Sequence, residues 1–518
     1  MKREEGRIGE RISLNMAEQQ SGLFTADAGL QTSEEKMALA AAAAAGPRKP
    51  RAVLVNPPGT QRYFRDYFCT LVSKARYYYH PVDLVYLSGV LDRAGYHLLC
   101  HDALVEGKGP ETSINEVVAF KPDLVVYLIS SPSYNEDVTY LTELKKQLPN
   151  ATFVGSGDVY RELRENGLSL HPFCDAILTD FSTPDFTEWL SRTEDRPFDN
   201  LIYRAKTGEP VSGPEKHGHG FYKMPVPRWD LWPTDLYRFP FASEPKFATI
   251  LSDFGCPFSC VFCPMSTTGY KLRDLDSVMD EIRLLRKLGI NEIFFRDQTF
   301  GVNRVRTQAL LDRIRTEQPD LKWTCWSRVD LVTEEFLKAI RAAGCHTIMF
   351  GIESANEEIL KRYKKNTKRE QMVRSLNASR AAGLRSVGTF VIGLPGESEA
   401  SIRDTVAFAK TLPLDFASFN IATPRFGTTF RKIMKEQGTI DAARMVLDSS
   451  RTKPAWLEET ESDGDTLPNE MIYQLQRFAI TSFYLRPGYL LRRIFTVRTP
   501  YELFASIREG VDLLFPHV

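Results

Sequence analysis

Short apolar runs alternate with helix-period stretches along most of this chain. Ala52-Val-Leu-Val55, ended by Asn56-Pro-Pro-Gly59, predicts a buried strand followed by a loop. Similar runs recur at residues 96–100, 123–129, 151–155 and 175–179. Between most of them lie helical patterns. Leu84, Leu87, Val90 and Leu91 make one apolar stripe closed by Gly95, and residues 134–148 make another. Strands alternating with helices predict an α/β domain with an open parallel sheet, the doubly wound or Rossmann-like type, over residues 47–191. Ligands bind such sheets at the carboxyl ends of their strands.

Residues 192–245 break the alternation. They hold Gly208, Gly213, Gly218 and Gly220, several prolines and an aromatic stretch. This reads as a linker with a small hairpin around residues 201–204. From Lys246 the alternation resumes, with strands expected at 249–253, 292–296, 321–326, 347–351, 386–392 and 416–421. Helices are expected to start near Leu275, Val305, Thr333, Asn356, Thr367 and Ser398. Six βα units over 246–430 predict a partial (βα)6 barrel of the TIM type, with its active site at the carboxyl ends of the strands. Residues 431–518 read as a helical C-terminal domain, in which Thr499, Pro500 and Glu502 have the spacing of a capping box. Residues 1–46, ending in an alanine run, read as a disordered or weakly helical leader.

Composition narrows the class. Of the 518 residues, 43% are hydrophobic and 25% charged, with 66 basic and 66 acidic side chains. Zero net charge gives no footprint for nucleic acid. No apolar stretch reaches the roughly 18–20 residues of a membrane span. Eight cysteines, three of them in one loop, indicate a reducing, cytoplasmic setting and not a disulfide framework. Cys69, Cys100, Cys174, Cys325 and Cys345 read as buried structural residues.

The chemistry centres on Phe254-Gly-Cys-Pro-Phe-Ser-Cys-Val-Phe-Cys-Pro264. Cys256, Cys260 and Cys263 are one ligand short of a closed metal site. Thiolates suit iron–sulfur clusters, and a cubane held by three cysteines leaves one iron open. The other reading is a zinc site lacking its fourth ligand, or three incidental cysteines. The loop is expected to follow the first barrel strand directly. Arg296-Asp-Gln-Thr-Phe300, Ser327-Arg328, Gly351-Ile-Glu-Ser354 and Val391-Ile-Gly-Leu-Pro-Gly-Glu397 end the next four strands on the same face. Each alone is ordinary loop chemistry; together they outline a nucleotide-sized site.

The cysteine spacing with Phe262 before the last cysteine, then Gly-Ile-Glu-Ser, then Gly-Leu-Pro-Gly-Glu, resembles the radical S-adenosylmethionine (SAM) superfamily. The resemblance implies a [4Fe–4S] cluster on Cys256, Cys260 and Cys263 as the catalytic group, and SAM bound to its open iron. It implies SAM contacts from Phe262, Asp297, Gln298, Ser327, Arg328, Glu353, Ser354, Gly393, Pro395, Gly396 and Glu397. The usual Gly-Gly-Glu after the second strand is replaced by Arg296-Asp297-Gln298-Thr299. Gly393 to Gly396 would let backbone approach the adenine.

A doubly wound domain ahead of such a barrel is similar to the cobalamin-binding branch. Val53-Leu-Val-Asn-Pro-Pro58, His80-Pro-Val-Asp-Leu-Val-Tyr-Leu-Ser-Gly-Val-Leu91, Ala94-Gly-Tyr96, Trp323-Thr-Cys-Trp-Ser-Arg-Val-Asp330 and Thr423-Pro-Arg-Phe-Gly-Thr428 carry that likeness. It implies cobalamin against Asn56, Pro57, Pro58, Gly59, Ser130, Ser131, Gly155, Ser156 and Gly157. The Asp-x-His-x-x-Gly that supplies histidine to cobalt in many such domains is absent; Asp102 and Gly107 match it but Leu104 stands in place of histidine. The implied activity is C-methylation of an unactivated carbon. Radical cyclisation, C–C coupling or oxidation, and a non-catalytic cobalamin or redox sensor, are the alternatives. The implied partners are a small-molecule substrate and an electron donor such as flavodoxin or ferredoxin. The aromatic and basic residues 483–495 read either as an amphipathic helix packed on the barrel or as a peripheral membrane contact covering a lipid-like, hopanoid or tetrapyrrole-like substrate.

Overall fold

The computed structural model describes residues 48–67, 70–73, 77–216, 218–438, 440, 445, 467–496, 504, 507, 508, 510 and 511. The leader, Cys69 and the capping box at 499–502 lie outside the described residues.

Val53, Leu54 and Val55 are fully buried on a strand with helices on either face, which is why the run is continuous and not alternating. Five parallel strands, Arg51–Asn56, His97–Asp102, Leu124–Leu128, Thr152–Ser156 and Ala176–Leu178, form the N-terminal sheet in the order 2-1-3-4-5. Asn56 and Ser130 end strands 1 and 3, where the winding direction reverses. The hairpin expected inside the linker continues this sheet. Leu201–Arg204 pairs antiparallel with the fifth strand, and Pro210–Ser212 pairs with Leu201–Arg204. Leu201, Ile202 and Tyr203 are buried there, with Tyr203 edge-on to Trp189, so their apolar character served a sheet edge.

The second sheet has six parallel strands in chain order: Ala248–Ile250, Glu292–Phe295, Lys322–Ser327, Cys345–Glu353, Arg385–Ile392 and Phe416–Ile421. Most helices between and directly after them begin where short polar side chains can accept orphan N–H groups. Asp274, Asn303, Thr333, Asn356, Ser398 and Thr428 each cap one helix this way. Such a cap contributes about 1 kcal/mol. The helix Asn469–Tyr484 covers the sixth strand. Tyr484 Oη donates to Ala417 O at 2.8 Å, and Gln476 Nε2 donates to Phe419 O at 2.9 Å.

Between the strand ends of the two sheets runs the segment 57–80, described at 57–67, 70–73 and 77–80. It contains a small hairpin, Tyr63–Phe64 with Leu71–Val72. Arg65 is its buried hub. Its guanidinium pairs with Asp137 at 2.8 Å and donates to Asn56 Oδ1 and to the carbonyls of Pro57 and Pro58. On the barrel side, Asp66 pairs with Arg296 at 3.2 Å, and the Thr70 carbonyl accepts from Arg425.

Candidate active site

The cysteine loop does not follow the first barrel strand directly. A separate strand, Asp253–Gly255, intervenes and pairs antiparallel with Tyr270–Arg273. Gly255 sits at φ 83°, where an added Cβ would meet the Gly269 carbonyl at 2.0 Å, so only glycine closes this clip. Cys256 N donates to Gly269 O at 2.9 Å, and Val261 N donates to Tyr363 O at 3.1 Å. The loop is thus tied at both ends while its three sulfur-bearing residues line one cavity.

That cavity holds about 370 Å³ at the carboxyl ends of the barrel strands, within the range of single-ligand pockets. Burial pushes the Cys263 thiol up to about 12 and raises that of Cys256. Burial thus favours the protonated form of these two thiols, and a bound cation or cluster is what would draw the protons off. Three cysteines on one wall, beside space for a further ligand, fit a three-thiolate [4Fe–4S] cluster.

Glu353 deepens the site. It adopts φ 68°, a strained conformation for a non-glycine residue, at a register shift that breaks the pairing of strands 4 and 5. The twist turns its carboxylate onto Lys365 Nζ at 3.0 Å, both side chains nearly buried. A Cβ on Gly351 would lie 2.4 Å from that carboxylate and 2.7 Å from the ammonium, so glycine makes the room for this pair.

Of the residues expected to hold SAM, Phe262, Gln298, Ser327, Arg328 and Glu353 line the cavity. The others are engaged elsewhere. Asp297 is buried beneath the wall and accepts from the backbone N–H groups of Ser252, at 2.6 Å, and Asp253, at 3.2 Å. It steadies the chain leading into the cysteine loop. Glu397 accepts from Gly393 N and Leu394 N at 2.9 and 3.0 Å and from the Ser354 hydroxyl at 3.2 Å. Pro395 O accepts from Tyr363. An added Cβ on Gly393 would meet Ile472 at 2.8 Å, and one on Gly396 would meet Arg362 at 2.2 Å. Side chains of the chain itself therefore pack closely against both glycines of this loop.

Thr299, Gly351 and Arg425, which lay inside the quoted motifs without an assigned contact, also line the cavity, and so do Lys365, Thr389 and Asn420, which were not singled out from the sequence. Nor were the rings of Phe64, Tyr77 and Tyr79, which form a stacked wall with Phe64 and Tyr79 at 4.6 Å. Gln298 Nε2 and Trp326 Nε1, enclosed donors on the wall, have no acceptor among the described residues. Buried donors without partners are rare and mark a place for a ligand oxygen.

The loops expected to hold cobalamin sit at the carboxyl ends of the first sheet, but they are occupied. Ser130 N and the Ser133 hydroxyl donate to Asp137, and Ser131 donates to Asp158. Asn56 is held by Asp102 and Arg65. Pro57, Pro58 and Ser156 are buried, and Gly59 is exposed. A Cβ on Gly155 would meet Tyr160 at 2.3 Å and Tyr127 at 2.7 Å; one on Gly157 would meet Ile129 O at 2.1 Å. Gly155 and Gly157 thus let the Tyr160 ring and the Ile129 carbonyl approach the backbone closely.

Comparison with known proteins matches residues 252–409 to the Radical SAM superfamily model. Over 428 residues the chain is 29% identical to an uncharacterized methyltransferase of Pyrococcus horikoshii, covering 80% of this chain and 90% of that protein. It is 22% identical to the anaerobic magnesium-protoporphyrin IX monomethyl ester cyclase of Rubrivivax gelatinosus, over 78% and 75% of the two chains. Among solved structures it resembles the radical SAM methyltransferase TsrM of Kitasatospora setae, described with cobalamin and a [4Fe–4S] cluster. The TM-score is 0.62 at 18% identity, over 85% of this chain and 90% of TsrM. It also resembles the cobalamin-dependent radical enzyme OxsB, with a TM-score of 0.63 at 14% identity, over 89% and 71% of the two chains. Residues 252–409 are thus a match to the radical SAM domain, and the chain shares the overall fold of TsrM and OxsB.

Proposed function

We propose that this protein is a radical SAM enzyme that methylates an unactivated carbon of a small-molecule substrate. The observation that carries the radical chemistry is the convergence of Cys256, Cys260 and Cys263 on one cavity at the barrel's strand ends. Bound there, the cluster supplies a site for SAM and a path for one electron to its sulfonium, which releases methionine and a 5′-deoxyadenosyl radical. The chain's own part is to seat and shield. The clip 253–255 with 270–273 fixes the cysteines, the Glu353–Lys365 pair fills the wall behind them, and the rings of Phe64, Tyr77 and Tyr79 exclude water from the mouth.

Methyl transfer is supported by the methyltransferase names of the relatives and by the cobalamin bound in TsrM. Cobalamin is the corresponding methyl carrier in this reading. Its tail is assigned in this reading to the strand-end loops of the first sheet, at Asn56 to Gly59, Ser130, Ser131 and Gly155 to Gly157. The electron comes from a flavodoxin- or ferredoxin-type donor. The aromatic wall and the two acceptor-seeking donors suit a largely apolar, ring-bearing or lipid-like substrate with at least one accepting oxygen. No helix among the described residues is long and apolar enough to cross a membrane.

Anaerobic reconstitution with cobalamin, followed by comparison of metabolites from a deletion strain and its parent, tests the reading. Methylation yields a product one CH2 heavier, with S-adenosylhomocysteine beside 5′-deoxyadenosine. Turnover giving 5′-deoxyadenosine alone, with cobalamin bound, sinks the methyltransferase assignment in favour of cyclisation, coupling or oxidation. C260A is expected to lose the visible absorbance of the cluster and all SAM cleavage; retained cleavage would refute the thiolate assignment.

A further inference from the structure

Arg328, expected to contact SAM, is already committed to the cysteine loop. Its Nη1 donates to Cys260 Sγ at 3.5 Å. The rest of the guanidinium is fixed from behind. Nε and Nη2 donate to the two carboxylate oxygens of Asp330 at 3.0 and 2.8 Å, and Nη2 also donates to Lys365 O at 2.9 Å. The plane lies over the Phe258 ring at 4.0 Å. Arg328 and Cys260 are both 6% exposed. A planar fork held at one side by a bidentate carboxylate has little freedom at the other, so Nη1 is aimed at the sulfur.

Hydrogen bonds to the sulfurs, net charge and solvent exposure set the potential of an iron–sulfur cluster. A buried cation donating to a ligand sulfur stabilises the more negative, reduced form. The other two cysteines differ. The side-chain neighbour of Cys256 is the neutral Thr299 hydroxyl at 3.7 Å. Among the described residues, Arg328 is the charged side chain that hydrogen-bonds a sulfur of this loop.

Resting on the cluster reading above, we infer that Arg328 is a positioning residue that raises the reduction potential of the cluster through its bond to Cys260, with Asp330 as the anchor that aims it. It makes the cluster easier to reduce by a weak one-electron donor. This role is distinct from binding SAM, because it acts on the cluster before SAM arrives.

The test uses anaerobically reconstituted full chains: the parent, R328K, R328Q and D330N. Iron and sulfide per chain are measured first, then the midpoint potential by dithionite titration followed by electron paramagnetic resonance, without SAM. With clusters fully loaded, R328Q is expected at a clearly more negative potential than the parent, with R328K and D330N between. R328Q at the parent's potential overturns the inference while leaving the cluster reading intact. A parent that takes up no iron overturns the cluster reading and the inference with it. Should R328Q fail to load, D330N decides, since it leaves Arg328 in place: an unchanged potential there overturns the aiming role. A SAM contact alone would leave all SAM-free potentials equal and change only SAM affinity.

Discussion

At the scale of single residues, the polar strand ends divide into those facing the cavity and those holding its wall from behind. Asp297 belongs to the second set, and D297N is expected to loosen the entry to the cysteine loop. Its amide oxygen can still accept both N–H groups, but the acceptor of the Ser252 hydroxyl becomes an NH2 donor, a change of roughly 1–3 kcal/mol. Lower iron retention during gel filtration, with SAM affinity per loaded cluster unchanged, is the outcome that fits; full retention counts against it. Glu397 makes a pH prediction. Burial raises its pKa to about 7, against three hydrogen bonds that lower it. The native state therefore holds this proton more tightly than the unfolded chain. Its contribution to stability falls as pH rises from about 4.5 towards about 7, by at most ~3 kcal/mol. E397Q removes that dependence, so its urea midpoint should gain on the parent's across this range; parallel curves would exclude the effect. The motif identified Glu397 and Asp297 as members of the site, but a one-letter pattern has no direction. Whether a carboxylate meets ligand or backbone is decided by the strand register and by the loop behind it.

At the scale of elements, the barrel was legible. Five strand runs and the helix starts at Thr333, Asn356 and Ser398 lie where periodicity put them, while the first run, expected at 249–253, is barrel strand only at Ala248–Ile250. The segment 57–80 was not, because its strands are two residues each and its order comes from long-range polar contacts. Its stability rests on Arg65. Removing that guanidinium leaves Asp137, fully buried at 0% side-chain exposure, without its counter-charge. Breaking a buried pair from one side costs about 3–5 kcal/mol. R65A should therefore open the hairpin, shown by faster amide exchange at Tyr63 and Phe64, and weaken the aromatic wall of the cavity. Exchange rates equal to the parent's would mean the hairpin stands without its hub. The linker hairpin 201–212 was read correctly as a hairpin but placed wrongly, since nothing local tells an edge strand which sheet it joins.

At the scale of the whole molecule, residues 50–518 form one compact unit, and buried polar contacts join its two sheets. Tyr86, on the helix Val82–Arg93, accepts from Arg273 at 2.8 Å and from Leu251 N at 2.9 Å, and donates to Glu281 at 3.1 Å. His80, whose pKa burial lowers to about 3, is neutral at physiological pH and bonds Thr249 on the first barrel strand at 3.1 Å. Y86F strands those N–H groups and is expected to cost about 1–3 kcal/mol, lowering one shared unfolding transition; two separated transitions would show that the sheets unfold independently. The segment 57–80 adds a further tie, gripped on one side by Asp137 and Asp158 and on the other by Arg296 and Arg425. The consequence is for engineering and for descent. A chimera that takes its first sheet from a relative would carry a foreign Arg65 segment into this cavity. Grafts made at the linker are therefore expected to lose activity even when each half is well made, and a change of substrate range is expected to need matched changes in both halves.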